Sequence, residues 1–299
     1  MFLPWLFIIL ITVQLCIRFS IVTELQSISL FLHHLCLSQV PPAPLSQATL
    51  SALVCGKNFD RLSDTQIYTS TGLIHLFVVS GSHLILIQKL LNQISPLFFK
   101  KINYAVLLLV LLTYAAMCLF NPPVTRSFIF LFFSITLHRR HQYWPKHYVL
   151  LIAGLATLAL NYQWMTSMSL QMSWLAALVL EIYAQKFSST SFFVRQLIFY
   201  SLFIVCYMGL GFPQLSTIIV CVVLTPALEY ILFPFAILTV MFHPFEPLFS
   251  GLLMALNTLL KSFEFYSRPS FLEVPTVTYL NWLIIFICHF LLFFRKPRT

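Results

Sequence analysis

Glycine and charge are both scarce in this chain. Only seven glycines occur in 299 residues. None of them builds G-x-x-x-x-G-K or G-x-G-x-x-G, which excludes the phosphate-cradling loops of ATPases and dinucleotide enzymes. Charged residues make up 8% of the sequence, against about a quarter in a soluble domain, which excludes an ordinary solvated surface. The few acidic residues form no His/Asp cluster with metallohydrolase spacing, so neither a metal nor a cofactor is expected. Of the seven cysteines, none forms C-x-x-C, and most lie in apolar runs. Only Cys36 and Cys55 share a loop. They are the one candidate disulfide if that loop lies outside the cytoplasm; two unrelated thiols is the other reading.

What the chain does have is apolar length. Hydrophobic residues make up 60% of it, in long continuous runs. Lipid admits only helices or closed barrels, and barrel strands would alternate apolar and polar residues. The expected fold is therefore an all-α polytopic integral membrane protein with about eight to ten transmembrane helices. The net charge of +9 invites a nucleic-acid reading. Accumulation of Lys and Arg in cytoplasmic loops explains it as well.

The runs place spans at about 1–22, 71–91, 102–120, 148–163, 169–187, 195–211, 215–240 and 277–294. Residues 23–70 read as an extracytoplasmic loop of mixed composition. Pro41-Pro42-Ala43-Pro44 stops any helix there, and a short apolar helix over 45–55 ends near Gly56. Asn121-Pro122-Pro123 starts a helix running to about Leu137, too short for a full crossing. Pro226 and Pro234 kink or split the 215–240 run. Residues 245–266 mix Glu246, Asn257, Lys261 and Glu264 with leucines and read as an interfacial amphipathic helix. Basic residues around 100–101, 139–146 and 295–298 mark cytoplasmic ends.

The stretch around which the rest is organised is 71–91. It is apolar enough to enter a bilayer, yet it carries His75 and His83 and a Ser80-Gly81-Ser82 break. On a helix His75, Val79 and His83 share one face. Polar groups at that depth are costly unless they face protein or a watery path. Gly81 lets another backbone approach. A path-lining helix and plain small-residue packing are both open readings. A serine hydrolase would need a histidine within reach of Ser80 or Ser82. His75 is five or seven residues away on the same helix, His83 points elsewhere from its neighbour Ser82, and no acid orients either ring. The chain is therefore expected not to be an enzyme.

Arg126 sits near the start of the Asn121-Pro122-Pro123 helix, where free N–H groups would attract anions. Snorkelling to headgroups is its alternative role. Gln171 and Gln214 each precede a serine by two residues at the start of a span. They would line a polar path or bond across helices.

Several of these segments, in order, resemble the ComEC family of DNA-internalisation competence proteins. Residues 52–57 (Ala-Leu-Val-Cys-Gly-Lys) resemble the segment before the family's hallmark helix. Residues 71–84, with Gly72, His75, Leu76, Ser80, Gly81 and His83, resemble the hallmark itself. Ser82 and Leu84 depart from its usual bulky apolar residue and valine. Pro123-Val124-Thr125-Arg126 resembles the family's proline-to-arginine helix start, and 169–176 its glutamine-serine span. Phe212-Pro213-Gln214-Leu215-Ser216 is a looser fifth match. The resemblance covers about residues 50–295, the family's permease domain, and leaves 1–49 as an N-terminal helix and loop.

It implies an inner-membrane, multi-pass channel for single-stranded DNA during natural transformation. The path residues it implies are His75, Ser80, Gly81, Ser82, His83, Arg126, Gln171 and Gln214. The family's long members also carry a β-type extracytoplasmic domain and a nuclease domain, for which these 299 residues leave no room. A stand-alone channel domain is thus implied, working in the lipid bilayer with a separate nuclease, DNA receptor or translocation ATPase, and with copies of itself as a further candidate partner. A transporter of another anionic solute, such as a cell-envelope precursor, is the alternative on the same scaffold.

Overall fold

The computed structural model describes residues 21–44, 46–57, 68, 81–98, 103–186, 194, 224, 228–263 and 274–293. Among these, all regular structure is helical. Ten α-helices follow one another: α1 Ile21–Ser38, α2 Gln47–Cys55, α3 Gly81–Phe98, α4 Tyr104–Met117, α5 Pro122–Arg139, α6 Lys146–Leu160, α7 Met168–Lys186, α8 Phe233–Met241, α9 Glu246–Phe263 and α10 Val274–Phe293. Short 3₁₀ turns lie at Tyr162–Thr166 and His243–Phe245, and one π-turn lies at Leu228–Leu232.

The helices fall into two compact units that interleave along the chain. Unit 1 takes residues 1–38 and 80–170; unit 2 takes 39–79 and 171–299.

In unit 1, α5 packs against α3, α4 and α6, and α1 packs against α4. Residues 118–121 join α4 to α5 in a turn with Leu119 and Phe120 both left-handed, at φ 53° and 47°. A left-handed residue with a Cβ is strained. Here it is held by the Thr125 hydroxyl, which donates to the Phe120 carbonyl at 2.6 Å and the Asn121 carbonyl at 3.1 Å. The last carbonyls of α4 are met from α1. Ser29 donates to Ala116 O at 2.7 Å, and His33 Nδ1 lies 2.8 Å from Met117 O. At the other end of the α4–α5 pair, Tyr104 and Thr136 share a hydrogen bond of 2.6 Å and Arg139 lies over the Tyr104 ring.

In unit 2, α8 packs on α2 and α9. The core there is Leu50, Leu53, Phe233, Ala236, Phe249 and Leu253. Helix α2 ends as the sequence predicts. Gly56 takes φ 73°, and Lys57 N–H reaches back to Ser51 O at 3.1 Å, closing the last turn through a residue without a Cβ. The loop before α9 is tied down where Glu246 accepts from Ser46 at 2.8 Å and from Ser250. The Tyr68 hydroxyl donates to Asn257 at 2.5 Å.

Several boundaries differ from expectation. Residues 21–38, mostly assigned to a loop, form an 18-residue helix. The Asn121 side chain makes no capping bond, and α5 runs 18 residues to Arg139 rather than stopping near Leu137. It ends only where His141 turns left-handed, at φ 54°. The apolar run 102–120, expected as a clean span, is a helix of 14 residues, about 21 Å long. Helix α6 has 15 residues, about 23 Å, whereas a bilayer core is about 30 Å thick. The longer α5 and α7 carry Arg126, Arg139, Glu181 and Lys186, and α10 interrupts its apolar run with Asn281 and His289.

Among the described residues no helix is long and apolar enough to cross a membrane, so the expected eight to ten crossings are not found there. Of the run 215–240, expected to kink or split at Pro226 and Pro234, residues 224 and 228–240 are described, and Pro226 lies outside them. A π-turn over 228–232 precedes α8, with Pro234 in the first turn of α8. The expected spans 1–22 and 195–211 lie almost wholly outside the described residues.

Candidate functional site

Among the described residues each unit buries a polar centre between two helices. The first lies where α3 meets α5. Gly81 opens α3 and is buried. A Cβ added to it would overlap the Ser127 hydroxyl, stand 2.8 Å from Ser127 Cβ and reach within 3.7 Å of Arg126 Nη2. Only a glycine permits that approach. Arg126 is 5% exposed and Ser127 3%, and Nη2 of Arg126 donates to Ser127 Oγ at 3.2 Å. On α3, beside Gly81, His83 is 1% exposed, Leu84 is fully buried and Ser82 is half-buried.

Of the path residues expected from the sequence, Gly81 and Arg126 are thus brought together in unit 1, and Ser82 and His83 lie one and two residues along α3 from Gly81. His75, Ser80 and Gln214 lie outside the described residues. Gln171 belongs to unit 2.

The anion site expected at the start of α5 is smaller than the sequence suggests. Pro122 and Pro123 carry no N–H, and the N–H of Thr125 is taken by Asn121 O at 2.9 Å. Val124 is left as the one early N–H donor outside the backbone ladder. The positive group that the site offers is the guanidinium, drawn toward α3 rather than held at the helix end.

The second centre joins α7 to α10 inside unit 2. Gln171 Oε1 accepts from Asn281 Nδ2 at 3.0 Å, with both residues fully buried. Trp174 Nε1 donates to His289 Nε2 at 3.0 Å. That bond requires a neutral ring whose proton is on Nδ1. Trp282 meets Trp174 edge to face at 5.6 Å.

Gln171 is a site candidate from the sequence; Asn281, Trp174, His289 and Ser127 are added by the structure. For two of these the signal was legible: Asn281, Ile285 and His289 recur at four-residue spacing, one helix face, and all are buried. Ser127 offered only its small size beside Arg126.

A family model described as Competence protein matches residues 53–299. The match takes in 53–57, 71–84, 123–126, 169–176 and 212–216, the segments that carry the resemblance save for residue 52. No curated protein and no solved structure matches.

Proposed function

This chain belongs to the Competence protein family, that of the ComEC membrane domain, and on that premise we propose that it is a multi-pass inner-membrane permease through which single-stranded DNA enters during natural transformation. The family match over 53–299 is the observation that carries this reading.

The physical chemistry supports it. A strand in transit is a flexible polyanion, and a conduit for it needs cationic or donor groups along the way, held firmly but binding weakly enough to release. Arg126 is such a group, buried beside the Gly81–Ser127 contact. Its planar, permanently charged fork suits phosphate oxygens. A bilayer setting suits the outside of the chain. Helix α10 presents Leu283, Phe286, Ile287, Phe290 and Leu291 as one exposed stripe, and an exposed patch of that kind marks a membrane or partner surface.

Cys36 and Cys55 are both disulfide-bonded, and disulfides persist in oxidising compartments. This supports placing residues 23–57 on the extracytoplasmic side, and the Arg and Lys residues of the exposed loop 139–146 support placing that loop in the cytoplasm. An impermeant thiol reagent should then label a cysteine placed at Gln47 and spare one at Gln142; the reverse pattern refutes the sidedness.

The chain itself catalyses nothing in this reading. Strand degradation, duplex capture and drive are the work of a nuclease, a receptor or an ATPase.

The test is uptake of labelled DNA. A deletion strain should bind DNA at the surface but fail to internalise it, and the gene in trans should restore import. Arg126→Lys should lower import modestly and Arg126→Gln severely, with both proteins at normal membrane level. Normal import in the deletion strain overturns the DNA reading. If envelope assembly fails instead, the anionic-precursor reading takes its place.

A further inference from the structure

We infer that Ser127 is the positioning residue for Arg126, and that the missing side chain at Gly81 is what makes room for it. As a role in transport this rests on the permease reading; as a contact it does not.

Neighbouring residues on a helix do not face each other. For Nη2 of Arg126 to reach Ser127 Oγ at 3.2 Å, the long side chain must fold back across the helix surface toward the next residue. That is also the direction of α3, because the Ser127 hydroxyl occupies the space where a Cβ of residue 81 would stand. Nη2 itself lies 3.7 Å from that same point. One small volume therefore holds the guanidinium, its acceptor and the glycine gap.

Both side chains are at least 95% buried, so bulk water does not compete for the bond, and a bond to a charged group is among the stronger ones. A larger residue at 127 would collide with α3. Alanine would fit but would leave Nη2 without this acceptor. Serine combines the size that the crossing requires with the oxygen that the arginine requires.

A double-mutant cycle separates positioning from packing. Ser127→Ala and Arg126→Gln are made singly and together, and membrane level, DNA import and the melting temperature of the purified protein in detergent are measured. Ser127→Ala alone should lower import about tenfold, the size of one charged hydrogen bond. In the Arg126→Gln background it should lower import no further, and the melting shifts should likewise fall short of their sum.

Ser127→Gly removes the acceptor and adds no volume at the crossing with α3, so it should lower import as Ser127→Ala does; it is the second variant for the same comparison. Additive effects in both readouts, or normal import by a well-inserted Ser127→Gly protein, overturn the inference. If the deletion strain imports DNA normally while the melting shifts remain non-additive, the transport reading has failed and the Ser127–Arg126 contact stands.

Discussion

In unit 1, α3 and α5 meet through the smallest groups available, a glycine and a serine hydroxyl, with an arginine folded in beside them. In unit 2, α7 and α10 meet through long polar side chains, an amide against an amide and an indole against an imidazole. The two centres solve the same problem, burying polar groups between apolar helices, by opposite means. Small residues let backbones approach and leave no slack. Long side chains reach across a wider gap, and each bond can be lost without a collision. The first centre should therefore be brittle and the second graded.

The largest effect should come at Gly81. Even one methyl overlaps Ser127, so Gly81→Ala should cost about 1–3 kcal/mol, and Gly81→Leu should abolish accumulation in the membrane. The Ser127 hydroxyl standing in that space leaves no room for a leucine side chain. Gly81→Ala with Ser127→Gly should restore melting temperature and membrane level, because the colliding atoms are gone. Import should stay low, because the acceptor for Arg126 is gone as well. If the pair restores neither level nor stability, the crossing is not what limits this unit.

In unit 2 the corresponding change stays well short of that of Gly81→Leu. Asn281→Leu removes the donor to a fully buried Gln171 and should cost about 1–3 kcal/mol. Adding Gln171→Leu should recover part of it, since the Gln171 oxygen that lost its Asn281 donor is then gone as well. Thermal unfolding of the three proteins checks this, and a double variant less stable than Asn281→Leu contradicts it. The smallest effect is expected for Trp174→Phe, which keeps a ring against Trp282 but loses the N–H to His289. About 1 kcal/mol is the expected loss, read as a small melting shift with normal membrane level. A collapse as severe as that of Gly81→Leu would erase the contrast between the two centres.

The same contrast explains what could be read from the sequence. Gly81 and Arg126 stood out because a break in an apolar run and a lone charge near a helix start are local signals. The short helix closed by Gly56 and the interruption around Pro234 were legible for the same reason. Pairings were harder to see. Gln171 and Asn281 are 110 residues apart, and nothing local to either one names the other. The four-residue spacing used for His75, Val79 and His83 was equally present in Asn281, Ile285 and His289, but the last apolar run was read as a simple span and its polar face was passed over. Helix lengths misled for a different reason. An apolar run marks where a helix is allowed, whereas the end of α4 is set by the strained turn at Leu119 and Phe120, which Thr125 holds.

The interleaving of the two units has a consequence in time. Helix α2 packs on α8, which is synthesised about 180 residues after it. At about 5–20 residues per second, Leu50, Leu53 and Val54 wait roughly 10–40 s for the surface that will bury them. Collapse of small chains takes about a microsecond, far less than this wait, and α8 is not yet there to cover the segment. It must be sheltered by lipid, by the insertion machinery or by transient contacts with earlier helices. A ribosome that stalls before residue 233 would therefore strand an early segment of the protein as surely as a mutation within it.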